Sequence, residues 1–122
     1  MKKVKFLPVL ILSLGLFGIF SFAPASSQLF PTKLRVTVLD GLGNATESAT
    51  VVLYASQEDY RDSKNAISTQ MTDKKGRVVF TELKPQPYFI DATKGDMNND
   101  GEGVRTSTLD EGKLNKVNTV IE

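Results

Sequence analysis

Short runs in which apolar and polar residues alternate constrain this chain more than any other feature of its sequence. In the first run, Leu34, Val36 and Val38 alternate with Arg35 and Thr37, a period of two that is typical of a strand with one buried face. Further runs follow at short intervals, separated by turn residues. This spacing predicts an all-β antiparallel sandwich. The seven predicted strands cover residues 34–38, 49–54, 67–72, 78–80, 88–92, 104–109 and 116–121.

Two of the connections have recognisable local signals. Residues 73–76 (Asp-Lys-Lys-Gly) form a tight turn between the third and fourth strands, and so close a junction predicts a β-hairpin. Residues 56–65 are polar and contain neither Gly nor Pro. Ser56, with Asp59 three residues later, resembles a capping box. We therefore predict one short helical insertion in the sandwich, and a Gly-rich acidic loop at residues 94–103.

The first residues have the organisation of a secretory signal peptide. Lys2, Lys3 and Lys5 precede an almost wholly apolar run at residues 6–22, and Ala23-Pro24-Ala25 provides small residues at a cleavage site. The alternative is an uncleaved membrane anchor, although 17 residues are few for a membrane-spanning helix. The predicted segments are a signal peptide at 1–25, a flexible lead-in at 26–33 and one sandwich domain at 34–122.

Composition excludes several kinds of activity. The sequence contains 0 His and 0 Cys, which removes Ser-His-Asp and Cys-His nucleophilic sites and histidine-bound zinc. Beyond residue 25, 12 Lys and Arg stand against 14 Asp and Glu, a net charge of −2, and the basic residues are scattered along the sequence. Nucleic acids and anionic membranes require a basic face. Neither is predicted as a partner, and the chain is not predicted to be an enzyme.

One group of residues resembles a metal-binding loop. Asp96, Asn98, Asp100 and Glu102 follow the pattern D-x-N-x-D-G-E, in which oxygen ligands alternate and Gly stands at the sixth position, as in calcium loops. Ser107 occupies the twelfth position, where such loops carry a bidentate Glu. The favoured interpretation is an acidic, Gly-rich surface turn, and no cofactor is predicted. The alternative is a calcium site of weak affinity, about 10⁻⁴–10⁻³ M.

Two segments of the sequence carry a family resemblance. They are residues 36–54, with VTVLD at 36–40, GN at 43–44 and ATVVLY at 49–54, and residues 72–92, with TDKKGRVVF at 72–80 and then Leu83, Pro85, Tyr88 and Ala92. Together they resemble carboxypeptidase regulatory-like domains, which are prealbumin-like sandwiches related to the Cna B-type modules of surface proteins. The resemblance implies an Ig-like or prealbumin-like fold. It also implies an accessory, structural or adhesive role in envelope or cell-surface assemblies.

These observations predict a non-catalytic structural or binding module, exported to the periplasm or the cell surface, that contacts a protein of the cell envelope. Once the signal peptide has been removed, no membrane insertion is predicted. The contact surface is predicted on the loops at residues 41–48, 56–65 and 96–103. Tyr60 is the candidate contact residue, with inward packing of its ring as the alternative.

A calcium-responsive or carbohydrate-binding accessory module is the alternative function. Sugar-binding surfaces commonly present aromatic platforms, but the sequence has 0 Trp. Its three tyrosines, Tyr54, Tyr60 and Tyr88, lie on different predicted elements. The sequence therefore predicts no aromatic platform, and this function ranks second.

Overall fold

The computed structural model describes residues 30–122, and Pro31–Glu122 form one compact unit. The predicted signal peptide at 1–25 and the lead-in residues 26–29 lie outside the described residues. Within the described part of the chain, no helix is both long and apolar enough to cross a membrane.

Seven strands and one short helix occur within residues 30–122. The first strand begins at Thr32, so Thr32 and Lys33, assigned to the lead-in by the sequence, belong to the strand. Thr32 pairs with Leu83, and Lys33 N–H donates to Lys113 O at 2.9 Å; these contacts extend the strand to that point. The elements are β1 (Thr32–Asp40), β2 (Thr50–Tyr54), α1 (Gln57–Asp62), β3 (Ser68–Met71), β4 (Arg77–Leu83), β5 (Phe89–Lys94), β6 (Met97–Asn98) and β7 (Leu114–Ile121).

The strands form two sheets, in the orders β4-β1-β7 and β3-β2-β5-β6. The predicted β-sandwich with one short helix is confirmed. Among the described strands, every pair is antiparallel except β1 with β7, which run in the same direction. A long connection from the other sheet leads into β7. Because no tight turn joins β7 to β1, the two strands need not run antiparallel.

The junction between β3 and β4 is a corner between the two sheets, and the predicted hairpin is wrong. The tight turn is present, because Gly76 N–H donates to Asp73 O at 2.9 Å and Asp73 N–H donates to Arg77 O at 3.1 Å. However, β3 pairs with β2, and β4 pairs with β1. Val38 N–H in β1 donates to Gly76 O at 2.7 Å. The turn is therefore attached to β1, and the strand that follows it joins the sheet of β1.

The alternating apolar residues face the space between the sheets, as predicted, and form one core. Tyr88 closes one end of this core, and its hydroxyl accepts a hydrogen bond from Lys84 N–H at 2.9 Å, which provides the polar partner that a buried tyrosine needs. The buried core residues are Leu34, Val36, Val38, Ala49, Val51, Leu53, Val78, Phe80, Tyr88, Ile90, Ala92, Leu109 and Ile121.

The strand predicted at residues 104–109 is wrong. An isolated bridge joins Arg105 to Phe89, whereas β6 lies inside the predicted loop at 94–103. Thr106 N–H donates to Tyr88 O at 2.9 Å, but Tyr88 N–H donates to the Thr106 hydroxyl, also at 2.9 Å. A side-chain oxygen thus replaces the backbone carbonyl that a regular ladder would use. The pairing with β5 ends there.

Candidate functional site

The outer face of the β3-β2-β5-β6 sheet carries a cluster of aromatic rings beneath α1. Tyr54 and Phe89 are cross-strand partners on β2 and β5, and Tyr60 from α1 contacts both. The ring centroid of Tyr60 lies 6.0 Å from that of Tyr54 in an edge-to-face arrangement, and 6.3 Å from that of Phe89. Aromatic rings attract one another at these separations. Tyr54, Tyr60, Phe89 and the adjoining Arg105 are called the aromatic face below.

Local hydrogen bonds define both ends of α1. Ser56 Oγ accepts a hydrogen bond from Asp59 N–H at 3.1 Å, which is the N-terminal cap that the sequence predicts. At the other end, Ser63 adopts a left-handed conformation with φ of 54°, and Asn65 Nδ2 donates to Asp59 Oδ1 at 3.1 Å. The predicted helical insertion is confirmed, and its caps fix the direction in which Tyr60 projects.

The sequence left two alternatives for Tyr60, an exposed contact residue and an inward-packed ring, and the structure shows part of each. Its side chain is half-buried, because part of the ring packs on Tyr54 and Phe89 while the rest faces solvent. Tyr54 lies on the outer face of its sheet and is nevertheless only 4% exposed, since α1 and Tyr60 cover it. The role of Tyr60 as a contact residue stays a prediction.

Two carboxylates lie beside the aromatic face. Asp91 is two residues beyond Phe89 on the same face of β5, and burial raises the pKa of its carboxyl group, with the charge of Asp100 adding to the increase. Burial likewise raises the pKa of the Tyr60 hydroxyl, and the charges of Asp100 and Asp91 add to it. The charge of Asp100 thus acts on both groups. This concentration of negative charge favours a cationic group next to the Tyr60 ring.

Arg105 supplies one such cation from within the chain. Its guanidinium carbon lies 5.7 Å from the ring centroid of Phe89, within the range of a cation–π interaction. The isolated bridge between the backbones of Arg105 and Phe89 holds the two residues together. Because Arg105 covers Phe89, and α1 covers Tyr54, Tyr60 is the ring best placed to meet a partner.

The candidate calcium ligands are spread along the segment that follows β5. Asp96, Asp100 and Glu102 are exposed, and Asn98 lies within β6. Asn98 Oδ1 accepts a hydrogen bond from Asp100 N–H at 3.0 Å. Across residues 30–122, no three acidic side chains are grouped so that they could hold one metal ion. Calcium binding by these residues stays the alternative interpretation.

A melting experiment tests the calcium alternative. If the four residues bind calcium in the folded state, replacing a chelator with millimolar calcium should raise the melting temperature, because a ligand that binds only the folded state stabilises it. The double variant Asp96→Asn, Asp100→Asn should lose this increase, whereas Glu111→Gln, on an exposed residue elsewhere, should keep it. An identical melting temperature with calcium and with chelator excludes the site.

Asn99 is a residue whose importance the sequence did not reveal, and it is fully buried. Its Oδ1 accepts a hydrogen bond from Ala92 N–H at 3.0 Å, and its Nδ2 donates to Ile90 O at 3.0 Å and to Thr119 Oγ1 at 2.9 Å. Thr119 Oγ1 in turn donates to Glu102 O at 2.7 Å. This network joins β5 of one sheet to β7 of the other. It also fixes the position of the next residue, Asp100, whose charge acts on the aromatic face.

Comparison with known proteins identifies a fold and no family. No protein-family model and no curated protein sequence matches the chain. Among solved structures, the TIE protein of Bacillus anthracis has a TM-score of 0.52 and 17% identity over 75% of this chain. A streptococcal ancillary pilin has a TM-score of 0.53 and 20% identity over 77% of this chain. A mutant of the shaft pilin spaA from Lactobacillus rhamnosus GG has a TM-score of 0.51 and 16% identity over 75% of this chain.

The chain spans less than half the length of these proteins: 17% of the TIE protein, 33% of the ancillary pilin and 47% of the shaft pilin. At such identities the likeness shows the fold alone. The described residues form a β-sandwich like those present in pilin structures. The more specific resemblance to carboxypeptidase regulatory-like domains stays a prediction.

Proposed function

We propose that this chain is a non-catalytic, exported structural module that contacts a protein of the cell envelope or cell surface through the aromatic face. The observation that carries the proposal is the packing of Tyr60 on Tyr54 and Phe89, beside Asp91 and Asp100. A tyrosine already held by its neighbours loses little conformational entropy on binding. Tyrosine is also enriched among the residues that dominate interface energies.

The charges around Tyr60 indicate what the partner presents there. The raised pKa of Asp91 reflects burial and the charge of Asp100, and a cation bound beside Asp91 would oppose both effects by stabilising the ionised carboxylate. A Lys or Arg side chain fits this position, with its aliphatic part against the Tyr60 ring. The proposed partner is therefore a protein segment with a basic residue at the centre of its contact surface.

Three further observations support this proposal. The sequence contains 0 His and 0 Cys, so it lacks the side chains most often used for nucleophilic and general-base catalysis. Its predicted signal peptide supports export. Two of the structures it resembles are named as shaft and ancillary pilins, which are structural proteins of assemblies. This likeness extends to function only as a proposal, because the shared sequence is small.

Site-specific photocrosslinking in the native host tests the proposed contact. A photoreactive phenylalanine analogue at position 60 should form a crosslink to one envelope protein. The same analogue at Lys74, an exposed residue in the β3–β4 turn, should not. With the partner identified, Tyr60→Ala should weaken binding about tenfold or more, and Tyr60→Phe should retain most of it because the ring packing is preserved.

The outcome at the two carboxylates distinguishes this contact from a general effect on folding. The double variant Asp91→Asn, Asp100→Asn should weaken binding and reduce its dependence on salt, without lowering the melting temperature. Equal crosslinking from positions 60 and 74 would contradict the proposal. Crosslinking to no protein, together with Tyr60-dependent retention on a glycan array, would favour the carbohydrate-binding alternative.

A further inference from the structure

The outer face of the β4-β1-β7 sheet is the second large surface of the sandwich, on the side opposite the aromatic face. Within residues 30–122, the single helix packs against β2 and β5 of the other sheet, so it does not cover this one. The inner positions of β1 and β4 are apolar and buried. The alternate side chains of these strands therefore face solvent.

Four cations share this uncovered face: Lys33 and Arg35 on β1, Arg77 on β4 and Lys116 on β7. We call them the basic face. Arg35 is directly paired with Lys116 in the parallel register, and Arg77 is diagonal to Arg35, because Val79 is the β4 residue opposite Arg35. Neighbouring strands lie about 4.8 Å apart and alternate residues about 6.6 Å apart. All four side chains therefore originate within a small area.

Carboxylates are scarce on this face. Apart from Glu82, which lies at the bulge near the end of β4, the other outward residues of the three strands are uncharged. The pKa of Asp73, in the β3–β4 turn, is lowered. The hydrogen bond from the Arg77 backbone is the largest cause, and the charge of Arg77 also contributes.

The centre of the basic face is electrostatically unfavourable as it stands. Like charges on directly paired strand residues repel and destabilise a sheet, and Arg35 and Lys116 form such a pair. In addition, Arg35 Nε is buried and has no hydrogen-bond partner, and a buried donor without an acceptor costs free energy. A bound anion that lies between the two charges, and accepts hydrogen bonds from the terminal Nη atoms of the guanidinium group, would offset the repulsion.

We propose that the basic face binds a linear polymer that carries repeated phosphate groups. The guanidinium groups of Arg35 and Arg77 can each bind a phosphate through two parallel hydrogen bonds, and Lys33 and Lys116 supply point charges beside them. The uncharged neighbours include Thr37 and Asn118, which add further hydrogen-bond donors. The flat, open face and the spread of cations over three strands suit an extended chain of anions better than one small anion.

This proposal is independent of the function proposed for the aromatic face, because the two surfaces lie on opposite sheets. It also explains why an anionic partner could not be inferred from the sequence alone. The residues are separated by tens of positions along the chain, and the charge beyond residue 25 is −2. Binding therefore depends on the local arrangement of the cations and not on the net charge of the protein.

Binding of long-chain inorganic polyphosphate to the protein purified from its native host provides the test. At low salt we expect saturable binding, and its affinity should fall as salt rises, because counterions are released from the polymer. The variant Arg35→Gln, Lys116→Gln should bind at least tenfold more weakly, and its salt slope should be smaller by about two, one for each phosphate contact removed. The control Arg61→Gln, Lys64→Gln changes the net charge equally at two exposed residues, one in the last turn of α1 and one just beyond its end, and it should bind like the wild type.

The same variants provide a readout that a folding defect would not produce. Because Arg35 and Lys116 repel each other, their double variant should melt at the same or a higher temperature than the wild type while it loses binding. The variant Lys33→Gln, Lys116→Gln, in which both replaced side chains are exposed, repeats the test without disturbing Arg35. Its crosslinking from position 60 should remain unchanged.

Four results would overturn the proposal. They are no binding of polyphosphate at low salt, equal losses in the basic-face and control variants, binding restricted to carboxylate polymers or to vesicles of anionic phospholipid, and self-association that the Arg35 and Lys116 changes abolish. The last result would assign the face to a second copy of the chain.

Discussion

Replacing Asn99 with alanine should lower the free energy of unfolding by about 3–5 kcal/mol, because three buried groups lose a hydrogen-bond partner together. These groups are Ala92 N–H, Ile90 O and Thr119 Oγ1, and no solvent reaches the fully buried side chain that serves them. Urea unfolding followed by far-ultraviolet circular dichroism measures the change. A loss of this size is a large share of the total stability of a small domain.

Asn98→Ala is the matched control for this prediction. Asn98 is the preceding residue and has the same side chain, but it is exposed, and its Oδ1 accepts one hydrogen bond, from Asp100 N–H. Its replacement should cost no more than about 1 kcal/mol. Similar losses from both variants would show that the buried network does not hold β5 to β7 as the structure indicates.

Gly76→Ala should lower the free energy of unfolding by about 2–4 kcal/mol, through backbone strain and steric overlap acting together. Gly76 has a φ of +74°, and a Cβ atom there would lie 2.9 Å from both Thr46 N and Val38 O. These atoms form a backbone hydrogen bond of 2.9 Å with each other, so neither can move away without cost. The corner between the sheets should therefore open in this variant.

Gly43→Ala separates the two contributions. Gly43 has a similar φ of +88°, but a Cβ atom there meets nothing within 4 Å. It should therefore show only the cost of a left-handed conformation, about 1–2 kcal/mol. Urea unfolding of both variants gives the difference between their losses in free energy of unfolding. That difference measures the cost of the close approach of the turn to β1. Equal losses would mean that the contact at Gly76 relaxes freely.

The parts of the structure that depend on neighbouring residues could be predicted from the sequence. The alternation of Leu34, Val36 and Val38 determines which face of β1 is buried, since successive side chains of a strand point in opposite directions. The cap at Ser56 involves a residue only three positions away. For the same reason the sequence located the turn that ends at Gly76, although not which strands pair on either side of it.

The features that depend on distant residues could not be predicted. Strand β4 joins β1 because Gly76 O accepts a hydrogen bond from Val38 N–H. No local sequence pattern predicts that contact. The pairing of Arg35 with Lys116 brings together charges that look scattered in the sequence. Asn99 lies within an acidic motif suggestive of calcium, yet its side chain turns inward. In this segment, buried backbone groups need hydrogen-bond partners, and the Asn99 side chain turns inward to provide them.

The candidate site was partly visible in the sequence. Tyr60 and its helical insertion were identified, because polar composition and a capping signal are local properties. Its contacts with Tyr54 and Phe89 were not, since they require the helix to fold back over two paired strands. Tyr54 and Tyr60, which lie on different predicted elements, therefore form an edge-to-face pair in the structure.

The parallel alignment of β1 and β7 has a mechanical consequence. Lys33 is paired with Leu114 at one end of the two strands, and Asp40 with Ile121 at the other. Tension applied between Thr32 and Ile121 therefore pulls along both strands in opposite directions. The hydrogen bonds that join them are loaded together in shear, whereas an antiparallel terminal pair pulled in this way would open one bond at a time. We expect a domain with this arrangement to unfold slowly under force. The rate of forced unfolding is a property separate from equilibrium stability.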